Sequence, residues 1–257
     1  MSGAPQLLSI IIPVLHLKRP VNPKRFFMRR QTIADTLDEI ISNVKITFEV
    51  VIVCNSADEA LRSFVVSHPV VTRYCLNSEN VGVSRAWNMG ANLAKGDILC
   101  FLNDDASIQK GGLEAMRDLL LSDEKIGQTG ASGCYWGANG FGGMVEGRGP
   151  RDVDAVLGYC FMLRASLFHK LGGVDINYSP AGCEDIDLSY KVREAGYRCV
   201  VDSGIPVKHH HHHGVSAQKV DIAFMGETID TETLHVRNTA YFRQKWANNF
   251  PSIRGKD

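Results

Sequence analysis

Residues 98–105 read Ile98-Leu99-Cys100-Phe101-Leu102-Asn103-Asp104-Asp105, five apolar residues running straight into an amide and two acids. A continuous apolar run of this length reads as a strand covered on both faces, the kind that belongs to a parallel sheet. Two carboxylates at the carboxyl end of such a strand can hold a hard divalent cation, which in turn binds diphosphate oxygens. Asn-Asp-Asp is also ordinary turn chemistry, so the surroundings must decide.

Upstream the same pattern recurs. Leu8–Val14, Phe48–Cys54 and residues 70–76 are strand-length apolar runs, separated by helix-period segments near 28–42, 58–66 and 84–95. Strand–helix alternation repeated three times predicts an α/β fold, a doubly wound and mostly parallel sheet with helices on both faces. Ligands in such sheets bind outside the carboxyl ends of the strands. Downstream, residues 111–121 read as a helix, 127–149 as a Gly-rich stretch and 155–163 as a strand. Further helices are expected at 184–195 and 233–246, and a short strand at 205–208. There is no repeat and no low-complexity linker. We therefore expect one domain, with a nucleotide half over about 1–105 and an acceptor half over about 106–257.

Three further constellations carry chemistry. In the block from Asn80 to Gly90, Asn80 and Gly82 suit a turn that caps a helix, and Arg85 and Asn88 share one helix face that could meet a base, ribose or diphosphate. Its glycines also suit plain helix–sheet packing. Glu184-Asp185-Ile186-Asp187 opens a helix, where acids meet the dipole favourably. Asp185, Leu188, Ser189 and Val192 form one stripe, which turns Asp185 toward the body and makes it a candidate general base. His209 to His213 are five consecutive imidazoles inside the chain. One of them, His209 or His211, is a candidate to complete a metal site begun at Asp105, the others being spectators.

Composition sets bounds. Lys plus Arg and Asp plus Glu both number 28, so no global field drives the chain onto nucleic acid. Locally, Lys18, Arg19, Lys24, Arg25, Arg29 and Arg30 crowd one segment, either a solvated loop and helix face or a site for phosphate or anionic lipid. Seven scattered cysteines, an odd number without a Cys-x-x-Cys pair, fit a reducing cytosol better than a disulfide framework. The short apolar stretch before Leu15 lacks a basic leader and contains Pro13, so no signal peptide is expected, and nothing approaches the roughly 20 apolar residues of a membrane span.

In order and setting these segments resemble the family 2 glycosyltransferases of the GT-A fold, from Ser9 to about Trp246. The matching blocks are Ser9–Pro13, Glu49–Val53, Asn80–Gly90, Phe101–Asp105, Gly158–Arg164, Leu171–Asp175, Glu184–Leu188, Ala195–Tyr197 and the histidine run with its Gly-x-Ser tail. The resemblance implies an inverting transferase that uses Mn²⁺ or Mg²⁺ and a nucleoside-diphosphate sugar donor. Asn103, Asp104 and Asp105 match the Asp-x-Asp element, whose last acid binds the metal, and Asp185 matches the base. Gly158 and Glu184 would line the transferred sugar and acceptor. Pro13, Asn55, Asp58, Asn80, Arg85, Asn88, Asn103 and Asp104 would meet the donor. The implied acceptor is a glycan or lipid-linked glycan of surface polysaccharide synthesis, handled by a cytoplasmic protein in peripheral contact with the membrane. Two departures stand out: Cys54-Asn55-Ser56 replaces the usual Asp-Asn-Gly-Ser, and Val14-Leu15-His16 replaces the usual Tyr-Asn, ahead of a longer basic loop. A nucleotidyltransferase and a non-catalytic sugar-nucleotide or glycan-binding module are the alternatives. The first lacks a Gly-rich phosphate loop here, and retained Asp105 and Asp185 argue against the second.

Overall fold

The computed structural model describes residues 6–137, 140–214 and 218–247. Its first half alternates β1 (Leu8–Val14), α1 (Ile33–Asn43), β2 (Phe48–Cys54), α2 (Glu59–Ser67), β3 (Val71–Leu76), α3 (Val83–Leu93) and β4 (Ile98–Leu102). β1 pairs in parallel with both β2 and β4, and β2 with β3. Successive residues of β1 enter different cores. Ile10 and Ile12 join Ile33, Leu37 and Met116 on one face of the sheet, while Ile11 joins Trp87, Phe101 and Phe161 on the other. Side chains alternate along a strand, so a sheet packed on both faces needs apolar residues in both phases.

One boundary differs from expectation. α1 starts at Ile33 instead of near 28, because Thr32 and Asp35 close a capping box there. The residues ahead of it form a separate single turn, Pro23–Arg25.

The second half holds β5 (Ala106–Ile108), α4 (Gly112–Leu121), β6 (Ile126–Gly130), β7 (Gly133–Gly137), β8 (Gly140–Met144), β9 (Arg151–Asp152), β10 (Ala155–Val156) and β11 (Cys160–Arg164). There follow α5 (Ala165–Lys170), α6 (Glu184–Glu194), β12 (Arg198–Val201), β13 (Val207–His209), β14 (Asp221–Phe224), β15 (Glu227–Asp230) and α7 (Thr231–Lys245). The main sheet runs β3-β2-β1-β4-β11-β6-β12-β9. Its antiparallel pairings are those of β11 with β4 and β6, and of β12 with β9. The fold is thus α/β, around a large and mostly parallel sheet.

The single strand expected at 155–163 is two strands in two sheets. β10 pairs with β7 in a small three-stranded sheet, and β11 joins the main one. The chain crosses between them at Leu157-Gly158-Tyr159. Gly158 fits because the passage is narrow: a Cβ there would lie 3.0 Å from Asp185 Oδ2 and 3.1 Å from the Trp87 ring. Among the described residues, no helix is long and apolar enough to cross a membrane.

Candidate active site

Asp104 and Asp105 leave the carboxyl end of β4 and are covered from two directions. From the basic segment, Arg19 ion-pairs with Asp104 and brings Nη1 to 3.4 Å from Asp105 Oδ2. From the other side, β13 pairs with β5 and sets His209 opposite Ala106. That register places His209 Nε2 3.1 Å from Asp105 Oδ1, with the ring stacked on Tyr159 at 4.7 Å. The His210 amide donates to the Asp105 carbonyl at 2.9 Å. Burial lifts the Asp104 carboxyl to about 6. Burial also pushes Asp105 upward, but the His209 hydrogen bond and Arg19 outweigh it and hold that carboxyl below its ordinary value.

The histidine run divides its labour. His209 touches Asp105. His213 accepts from the Asn22 amide through Nδ1 at 3.0 Å, and its Nε2 lies 3.0 Å from the Met28 carbonyl, so one ring ties both ends of the 22–28 loop. The His211 ring stands 5.4 Å from that of His209, and burial with its imidazole neighbours His209 and His212 lowers its pKa. The expected trio of Asp105, His209 and His211 is therefore brought together only in part. Among the described residues no three His, Cys, Asp or Glu side chains form a metal-sized group. Val215 and Ser216 of the Gly-x-Ser tail lie outside the described residues. A carboxylate and an imidazole are nevertheless suitable donors for Mn²⁺. The Arg19 guanidinium, resting on both carboxylates, shows that the place already favours a cation.

The second acid pair opens α6. Asp185 Oδ2 accepts from the Gly158 amide at 2.7 Å, and its Oδ1 from the Ile186 amide at 2.9 Å. Burial raises its pKa against those two hydrogen bonds. Glu184 is 7% exposed, and its Oε2 is buried without a partner. Burial and the neighbouring Asp185 push its pKa to about 8. Asp187 is occupied otherwise. Fully buried, it accepts from Tyr178 Oη (3.1 Å), Trp246 Nε1 (2.9 Å) and Lys245 Nζ (2.9 Å), anchoring α7 to α6.

The two acid pairs meet at one short stretch of chain. The Asn103 amide donates to the Tyr159 carbonyl at 2.8 Å, and the Gly158 amide to Asp185. Adjacent residues at the crossing between the sheets thus connect the end of β4 with the start of α6.

The expected donor contacts gather at the carboxyl ends of β1 to β3, but several are knitted into the scaffold. Pro13 lies opposite Val53 in the sheet. The Asn55 amide takes the Asn77 side chain at 2.9 Å and reaches the Gly82 carbonyl at 3.4 Å. Asp58 caps α2 through the Leu61 amide. Asn80 holds the Gly82 amide at 2.9 Å and donates to Ala223 in β14 at 3.1 Å. Both ends of the Asn88 amide are used by the Val174 backbone. Arg85 differs. One of its guanidinium nitrogens is buried without a partner, an arrangement that an anion would satisfy.

With this geometry in view, the family model for glycosyl transferase family 2 matches residues 26–172, more than half of the chain. The chain belongs to glycosyl transferase family 2. This family 2 chain is 22% identical over 197 residues to polypeptide N-acetylgalactosaminyltransferase 3 of Drosophila melanogaster, covering 63% of this chain and 30% of that protein. It is 26% identical over 151 residues to the O-antigen biosynthesis protein RfbC of Myxococcus xanthus, covering 48% of this chain and 12% of that one. It thus spans less than a third of either relative. Among solved structures it is similar to GalNAc-T7 with UDP, GalNAc and Mn²⁺, at a TM-score of 0.64 and 16% identity, over 80% of this chain and 44% of that one. The fold of this family 2 chain is therefore the GT-A fold. Sequence reasoning missed Arg19, Tyr159 and His213 as parts of the site. Arg19 had a signal, a basic side chain in a long loop after β1, but nothing in its spacing pointed to Asp104.

Proposed function

We propose that this family 2 chain transfers a sugar from a nucleoside-diphosphate donor to an acceptor hydroxyl, with inversion at the anomeric carbon. The observation that carries this reading is the crossing at Gly158-Tyr159, whose adjacent residues take the Asn103 amide just ahead of the acids after β4 and the Asp185 carboxylate at the start of α6. A transferase needs a cation-binding end for the diphosphate and a proton acceptor near the transferred sugar. Here they share one wall.

Asp105 and His209 would hold a divalent cation, Mn²⁺ by preference given the imidazole, and that ion would supply charge neutralisation for the leaving diphosphate. Arg19 would withdraw from the carboxylates or turn to the diphosphate. Arg85 would add a second positive group through its unpartnered nitrogen. Asp185 takes one amide donor on each oxygen, which aims the carboxylate and leaves lone pairs for the acceptor hydroxyl. As that hydroxyl attacks the anomeric carbon, the bond to the diphosphate breaks and the proton passes to Asp185. Glu184, with its carboxyl at about 8, stays protonated at neutral pH, so the pair carries one charge instead of two.

The acceptor is proposed to be a glycan or lipid-linked glycan, a reading supported by the O-antigen relative. Screening a panel of nucleotide sugars for Mn²⁺-dependent hydrolysis tests the proposal. Turnover of one donor class only with the metal is expected, and no turnover of any donor would count against it.

A further inference from the structure

The segment between β1 and α1 does more than bring Arg19 to the acid pair. Its turn at Pro23–Arg25 is closed by the Asn22 side chain, which accepts from the Lys24 amide at 3.0 Å. The Asn22 side chain also donates to the His212 carbonyl at 2.9 Å, and His213 joins Asn22 to Met28. The loop is thus stitched to the run that carries His209. What it presents outward is an apolar pair among basic side chains. Phe26 and Phe27 are 74% and 67% exposed and meet each other edge-on at 5.7 Å. Exposed Lys18, Lys24, Arg25 and Arg30 lie in the same segment. Among the described residues these four have no ion pair, whereas Arg19 and Arg29 are taken up by Asp104 and Glu39. The chain has no acid before Asp35.

We propose that Phe26 and Phe27, with Lys18, Lys24, Arg25 and Arg30, form a surface that docks on an anionic lipid bilayer beside the acid pair. Aromatic rings favour the interface between acyl chains and headgroups. Basic side chains around them without an acidic partner are attracted by anionic headgroups within a Debye length. A solvated face accounts for the basic residues but not for two adjacent exposed phenylalanines held on a tied loop. Docking would set the candidate site against the membrane plane, where a lipid-linked hydroxyl would be presented.

The test is cosedimentation of the full chain with phosphatidylcholine vesicles, with and without phosphatidylglycerol. Wild type should partition onto the anionic vesicles and be released by high salt. Phe26→Ser/Phe27→Ser and Lys24→Ser/Arg25→Ser should each lower that partition by about tenfold or more. Both keep Asn22 and His213 and alter exposed side chains, so their melting temperatures should match wild type. Wild type left in the supernatant with anionic vesicles would overturn the proposal and leave the aromatic pair to a protein partner. Undiminished binding of Phe26→Ser/Phe27→Ser overturns it as well. Vesicle binding needs neither donor nor transfer, so its failure leaves the transferase reading intact.

Discussion

At the residue scale, the three acids in the first turn of α6 look alike in sequence and are sorted by their partners. Asp187 is held by Tyr178, Lys245 and Trp246, which removes it from chemistry. Asp185 alone receives the Gly158 amide. Asp185→Asn keeps the shape and loses the proton affinity, so transfer measured at saturating donor should fall by ~10²–10⁴-fold with donor affinity nearly unchanged. A large loss of donor binding with little loss of rate would move Asp185 to the diphosphate. Glu184 makes a separate, pH-dependent statement. Its folded carboxyl titrates at about 8, above the ordinary 4.5. Between those values the native state keeps a proton that the unfolded chain gives up, so stability is full below pH 4.5 and declines as pH rises toward 8. Glu184→Gln removes that slope. Its melting temperature relative to wild type should climb from pH 5 to pH 8, and parallel pH profiles would show that Glu184 is not held protonated.

At the scale of elements, legibility followed the range of the interactions that form each one. β1, β2 and β4 were readable to the residue because a strand packed on both faces writes its whole length in apolar side chains. The start of α6 was readable from its acids. The division of 155–163 into β10 and β11 was not, because it is imposed by Asp185 and Trp87 closing on Gly158 from distant parts of the chain. For the same reason β7, β8 and the β14–β15 hairpin went unseen. Met225 holds a φ of 49° and Gly226 one of 76° in the turn of that hairpin, and methionine is no signal for a left-handed turn. The histidine run shows both sides. Its link to Asp105 could be read from composition and order, whereas which imidazole does what depends on strand register and on a loop nearly two hundred residues away. Substituting the five singly should separate them. His209→Ala should weaken Mn²⁺ binding. His213→Ala should cost about 1–3 kcal/mol of stability, as buried partners lose their bonds. His212→Ala should do neither. Calorimetric titration with Mn²⁺ and thermal melting check all five, and equally silent substitutions would reduce the run to a solvated loop.

For the whole molecule, one sheet carries both ends of the proposed reaction. The parallel strands β1 to β4 bring donor-side residues to one edge, and antiparallel β11 folds back beside β4 to deliver Gly158 and Tyr159. The crossing thereby holds the Asp185 carboxylate through the Gly158 amide and, through the Tyr159 carbonyl, the Asn103 backbone from which Asp104 and Asp105 follow, a rigid support for groups that must act together. At the centre of the proposed reaction is a donor held through a cation at Asp105. Calorimetry of nucleoside diphosphate binding, with and without Mn²⁺, in wild type and in Asp105→Ala, measures this directly. Wild type should bind one diphosphate tightly only with Mn²⁺, and Asp105→Ala should lose that metal dependence together with most of the affinity. Binding that ignores Mn²⁺ in wild type and survives unchanged in Asp105→Ala would contradict it.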